Sequence, residues 1–142
     1  MKIAMDGKIQ VLVSNLPSIG DHHTNGPVVK DGYIYFGQGT ATNSAAVGED
    51  NKNFGWLLRH KDFYDIPCAD IVLNGVNYVS PNVLSNNSND KATTWAYSSF
   101  NTATIAGQVI KGSVPCTGSI MRIPLAGGNV ELVAWGLRNP LD

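Results

Sequence analysis

The chain has 142 residues, 43% of them hydrophobic, which is enough to bury a core, and its length gives no reason to expect more than one domain. Only 15% of residues are charged and the formal net charge is −1, which argues against the basic footprint of a nucleic-acid binder or of a protein held on an anionic membrane. No uninterrupted apolar run approaches the ~20 residues of a bilayer span, and Met1 to Gly7 contains no apolar stretch of signal-peptide length, so the chain reads as cytosolic or as lacking its native start.

Gly, Asn, Ser and Thr are abundant and long amphipathic runs of helix formers are missing, a pattern that predicts an all-β chain with long polar loops. The first unit is a hairpin: Lys2 to Met5, a turn at Asp6-Gly7, then Lys8 to Val13. Both turn positions tolerate positive φ, which suits a two-residue β-turn. A second hairpin runs from Gly26 to Gly37 around Asp31-Gly32, and a third from Ser119 to Val133 around Ala126-Gly127-Gly128. The first and third share a pattern. Ile9, Val11, Leu12 and Leu16 match Val130, Leu132, Val133 and Leu137 at one constant offset.

A recurring hairpin with another between the copies is the signature of a repeat, and four-stranded propeller blades give that alternation. The spacing is too long for one blade, so residues 42–118 read as a loop-rich insertion. Within it, Asn53 to Tyr64 predicts a short helix or packed turn around Trp56, Leu57 and Leu58. Ile71 to Leu73 and Tyr78-Val79 predict short strands about an Asn74-Gly75 turn, and residues 85–91 an exposed loop tip. Cys68 and Cys116 are too few for a disulfide scaffold and lack metal-ligand spacing; one bridge and two buried thiols remain equal readings.

Loops at equivalent blade junctions emerge on one face. The loop Gly20 to Gly26, with Asp21, His22 and His23, and the loop Gly136 to Pro140, with Arg138 and Asn139, occupy such junctions. The loop from Gly37 to Asn43, with Gln38, should open on the same side. Convergent polar groups in a concavity define the default binding site. A neutral histidine with a free pKa of ~6.5 suits a general base. An arginine suits a carboxylate or an oxygen gaining negative charge. Each loop alone has a plainer reading: a histidine in a Gly/Asn loop is usually solvated, and Asn139 before Pro140 is simply held extended. No Gly-x-Ser-x-Gly, dinucleotide fingerprint or phosphate loop is present, and adjacent His22 and His23 do not have zinc-ligand spacing, so no metal site is expected from these residues.

The segment Leu16 to Gly26, followed by a strand, Asp31-Gly32 and Tyr33-Ile34-Tyr35, resembles the glucose/sorbosone dehydrogenases that depend on pyrroloquinoline quinone (PQQ), and so does Gly136-Leu137-Arg138-Asn139-Pro140. The resemblance covers the two ends of the chain; the cysteine-containing insertion looks like one found in a bacterial branch of the family. It implies a partial β-propeller spanning residues 1–142, about two blades of a six-bladed ring. It implies a sugar or aldehyde dehydrogenase in which His23 is the base, Arg138 stabilises charge on the quinone, and Arg138 and Asn139 bind PQQ. Asp21, His22, Gln38 and Asn43 would contact the substrate.

Calcium is implied by the family, with ligands outside this chain. An electron acceptor such as a cytochrome or a quinone, and a periplasmic or secreted location, follow from the same resemblance. The chain stops where the next inner strand should begin, so it is expected to be a fragment, inactive alone, with open strand edges. Two other classes stand beside this reading: a non-enzymatic NHL-type propeller that binds a partner, and a calcium-dependent lactonase-like propeller.

Overall fold

The computed structural model describes residues 1–140. Its regular structure is mostly short antiparallel strands with two brief helices. The first hairpin forms β1 (Lys2–Ile3) and β2 (Ile9–Gln10). The second forms β3 (Val28–Lys30) and β4 (Tyr33–Gln38). Asp31 and Gly32 join these two at φ 49° and 79°. Two consecutive left-handed residues make the turn whose twist matches paired strands, and Asp-Gly supplies it at little steric cost.

After β4 the chain leaves the sheet for an excursion containing α1 (Glu49–Asn53), α2 (Trp56–Arg59), β5 (Ile71–Asn74), β6 (Tyr78–Pro81), β7 (Lys91–Thr94) and β8 (Ala106–Ile110). It returns as β9 (Ser119–Pro124) and β10 (Glu131–Trp135). The second and third hairpins then join edge to edge, β4 against β9, in one four-stranded antiparallel sheet of order β10-β9-β4-β3.

Alternation along the two central strands fixes the buried face. Ile34, Phe36 and Gln38 pair with Ile123, Met121 and Ser119. Phe36, Met121, Ile123 and Cys116 form a buried cluster, with Leu12, Val13, Leu16, Ile66 and Val130 packed on it. Burying each large aliphatic or aromatic side chain contributes ~1.5–3 kcal/mol. On the other face Arg122 lies over the Tyr33 ring, 4.2 Å from its centroid, and bonds Glu131 at 2.8 Å.

The matched residues of the first and third hairpins occupy different surroundings. Leu132 and Val133 lie in β10, whereas Val11, Leu12 and Leu16 follow β2 as irregular chain. Leu12 and Leu16 lean on the sheet instead of extending a strand.

The excursion has a core of its own, built from Ala41, Val47, Leu57, Phe63, Ala92 and Phe100. Its strands pair differently from the sequence reading. β5 pairs with β8 and β6 with β7, so Asn74-Gly75 does not turn β5 back onto β6. The Asn77 side chain explains the change: its amide donates to the carbonyls of Gly75 and Thr104 at 3.0 and 2.9 Å, and its oxygen accepts from the Thr104 N–H at 2.8 Å. The linker after β5 is thereby tied to the approach of β8. The helical segment begins at Glu49, earlier than expected, and Leu58 is exposed instead of packed. Lys91, read as part of the loop tip, starts β7. Cys68 and Cys116 are joined by a disulfide that ties the excursion to the start of β9. Among the described residues no helix is long and apolar enough to cross a membrane.

Candidate functional site

Three stretches distant in sequence are laid side by side at one end of the sheet. The loop after Gly20 runs antiparallel to the chain leaving β4: Asp21 N–H donates to the Ala41 carbonyl at 3.0 Å, Gly39 N–H to His23 at 3.0 Å, and Asn25 N–H to Gly37 at 2.9 Å. Thr40 N–H donates to the Arg138 carbonyl at 2.9 Å, which brings in the third stretch. The sequence permits this closeness through glycine. A Cβ on Gly20, whose φ is +116°, would strike the Ala41 backbone, and one on Gly39 would strike the His22 Cβ.

The three stretches frame an open cleft of about 430 Å³ lined by Asp21, His22, His23, Asn43, Phe54, Trp56 and Arg138. His23 is exposed, and its ring meets the edge of Trp56 at 6.5 Å between centroids. His22 is half-buried, with Nδ1 3.1 Å from the Thr40 carbonyl and 3.2 Å from the Thr40 hydroxyl. The hydroxyl donates to the Thr42 carbonyl at 2.5 Å. The Thr40 carbonyl and hydroxyl together hold the His22 ring through Nδ1.

Arg138 donates through Nε and Nη2 to the Asn43 Oδ1 at 3.1 and 2.8 Å, leaving further N–H groups for a ligand. Arg138 and Asn43 also line a second cleft of about 220 Å³ with Tyr97 and Trp135. Burial, and then the charge of Asp65, push the Tyr97 phenol up.

The excursion braces both sides of the main cleft through adjacent residues of α1. Asp50 accepts from the Asn43 amide at 3.0 Å, which steadies the partner of Arg138. Asn51, fully buried, donates to both Asp21 carboxylate oxygens at 3.1 and 3.2 Å. Burial holds the Asp21 carboxyl above its ordinary value; the Asn51 bond opposes that, Asp50 adds to it, His22 opposes it and Asp65 adds to it. Deeper still, Asp65 is 1% exposed and accepts from Ala41 N–H, Thr42 N–H and the Thr42 hydroxyl at 2.6, 3.1 and 2.6 Å. That carboxylate pins the loop carrying Asn43.

Two residues assigned to the site by sequence lie elsewhere. Gln38 is 0% exposed, its oxygen accepting from Thr24 at 2.6 Å and its amide donating to Pro17 at 3.0 Å. Its position on the inward face of β4 makes it an internal tie between Thr24 and Pro17. Asn139 does not line the cleft; its oxygen accepts from Asn25 at 3.4 Å, and the same Asn25 amide donates to the Pro140 carbonyl. Phe54, Trp56, Asp50, Asn51 and Asp65 are missing from the sequence-derived site because no local pattern marks them; the nearest signal is the pair of aromatics flanking Gly55.

Comparison with known protein families, with curated proteins and with solved structures finds no match to this chain.

Proposed function

We propose that the four-stranded meander is one blade of a β-propeller and that its cleft is the substrate and quinone face of a PQQ-dependent sugar or aldehyde dehydrogenase. One observation carries the reading: His23 and Arg138, from opposite ends of the chain, line a single cleft with Asp21, His22 and Asn43. The lining suits a planar, polyanionic quinone, because it offers a guanidinium with unspent donors and the aromatic side chains Phe54 and Trp56. When bound, PQQ supplies a two-electron acceptor for the hydride of the substrate carbon.

The residues of the chain do the rest. His23, at the mouth, accepts the hydroxyl proton of the substrate, and Asp21 and Asn43 orient its other hydroxyls. Arg138 holds a carboxylate or stabilises an oxygen that gains charge, a contribution of ~2.7–4 kcal/mol for an oriented donor. Among the described residues no group of three or more His, Cys, Asp or Glu side chains is placed to hold a metal ion, and no step here uses one. A disulfide suits an oxidising compartment such as the periplasm or the cell exterior. A cytochrome or a quinone would reoxidise the cofactor there.

The test is direct titration of the 142-residue chain with PQQ, followed by tryptophan fluorescence. Saturable quenching that weakens at least about tenfold in Arg138→Ala supports the reading; absence of binding overturns it. In dye-linked oxidation of aldoses by the longer protein to which this chain is expected to belong, reconstituted with PQQ and calcium, His23→Ala should abolish turnover. Loss in His22→Ala alone would move the base to the ring whose Nδ1 faces Thr40.

A further inference from the structure

The second cleft, of about 220 Å³, meets the main one at Arg138 and Asn43 and is walled by Tyr97, Trp135 and Leu137. We infer that it is a separate binding site for a small carboxylate with an apolar body, its oxygens held by the Arg138 guanidinium and the Tyr97 hydroxyl and its body laid against Trp135. The site lies outside the quinone reading, and its test uses no PQQ.

Tyr97 reaches this cleft through a strained turn. Its φ is 57° and that of Ala45 is 61°, and its N–H donates to the Ala45 carbonyl at 2.8 Å. A bulky L-residue rarely holds the left-handed region, and residues so held cluster at sites that need a side chain aimed. The surrounding chain enforces the turn: the Ser98 hydroxyl donates to the carbonyls of Trp95 and Thr102 at 2.7 and 3.2 Å, and Phe100 is buried in the core of the excursion. The Tyr97 hydroxyl finds no hydrogen-bond partner among the described residues, none of which has a sealed, unpartnered polar side-chain atom, so the hydroxyl is open to the cleft that the residue lines. Burial, and then the charge of Asp65, push the phenol up, which keeps it a donor at neutral pH. Arg138 commits Nε and Nη2 to Asn43, and its Nη1 has no acceptor among the described residues. The backbone beneath it is fixed, since Thr40 N–H donates to the Arg138 carbonyl and Leu137 N–H to Gly118, both at 2.9 Å.

The donors and the wall define the ligand. A planar fork of N–H groups and a phenol O–H match the two oxygens of a carboxylate. Trp135 and Leu137, both partly exposed, supply apolar surface for the rest of the molecule. Asp65, the acidic residue of the lining, is sealed from water and already accepts three hydrogen bonds from the chain, so its oxygens are engaged inside the protein. The volume is below the ~300–1,000 Å³ of pockets for drug-sized molecules, which restricts the cleft to small ligands.

The experiment is an NMR titration of the ¹⁵N-labelled 142-residue chain with sodium benzoate to about 50 mM at constant ionic strength. It reads the indole N–H groups of Trp135 and of Trp56, which lines the main cleft, assigned by their loss in Trp135→Phe and Trp56→Phe. Benzoate should shift the Trp135 resonance saturably and leave Trp56 unmoved. Benzamide, with the same shape and no charge, should bind at least about tenfold more weakly, as should benzoate to Arg138→Gln. Tyr97→Phe should weaken benzoate ~5–10-fold. Circular dichroism checks folding, and the ratio of benzoate to benzamide affinity in the parent chain carries the test should a variant not fold. A saturable shift of Trp56, no saturable shift of Trp135, equal binding of benzamide, or unchanged affinity in folded Tyr97→Phe or Arg138→Gln would overturn the inference.

Discussion

Replacing Asp65 probes the link between the buried interior and the cleft. Its carboxylate is sealed from water and accepts three hydrogen bonds, from Ala41 N–H, Thr42 N–H and the Thr42 hydroxyl. A hydrogen bond to a charged group contributes ~1.5–3 kcal/mol, and an orphaned buried donor costs ~1–3 kcal/mol. The three donors share one carboxylate, so their losses do not add. We expect Asp65→Ala to lower the unfolding free energy by about 3–5 kcal/mol, because it strands two backbone donors at once. Thr42→Ala removes only the hydroxyl and should cost ~1–2 kcal/mol. The double variant should cost less than the two together. Urea unfolding followed by tryptophan fluorescence measures all three, with an unchanged slope confirming that the same transition is observed. A loss below about 1 kcal/mol in Asp65→Ala would mean that water or the relaxed loop replaces the carboxylate, and the proposed pin would be wrong.

Burial raises Asp21, with Asp50 and Asp65 adding to the effect and Asn51 and His22 opposing it, so the native chain holds this proton more tightly than the unfolded one. The stability tied to Asp21 is therefore greatest below its ordinary value of 3.8 and declines as pH climbs through the raised native value. Asp21→Asn should remove that decline in unfolding curves followed as pH rises above 3.8, and Asn51→Ala should raise the Asp21 carboxyl further in an NMR titration. A native Asp21 titrating at or below its unfolded value would contradict both. The disulfide closes a separation of 48 residues, and the loop-entropy relation gives ~4 kcal/mol for that length. Reduction, or paired Cys68→Ala and Cys116→Ala replacement, should lower stability by about 3–4 kcal/mol in urea; no change would show that the excursion's own core fixes its ends.

The hairpins are legible in the sequence because their information is local: Asp31-Gly32 specifies a tight turn and the flanking β-formers specify the strands. Hairpin order also brings the loops around His22 and Arg138 to one end of the sheet. What is not legible depends on which face a residue meets. Gln38, between two glycines, resembles a loop polar group, yet its register opposite Ser119 turns it inward, where Thr24 and Pro17 satisfy it. Asn139 precedes a proline and is turned toward Asn25, away from Arg138's cleft. The excursion misleads most. Polar, turn-rich sequence reads as loop, but scattered apolar residues such as Val47, Leu57 and Phe100 meet through distant contacts. Asp50, Asn51 and Asp65 acquire their roles only after that core has formed.

The pairing of β4 with β9 also has a consequence for biosynthesis. When β4 emerges from the ribosome, residues 39–118 must still be made before its neighbour exists. At cellular elongation rates that delay is roughly 4–16 s. Throughout it the nascent chain presents Tyr33, Ile34, Tyr35 and Phe36 along an unpaired backbone edge, the segment a chaperone would be expected to shield.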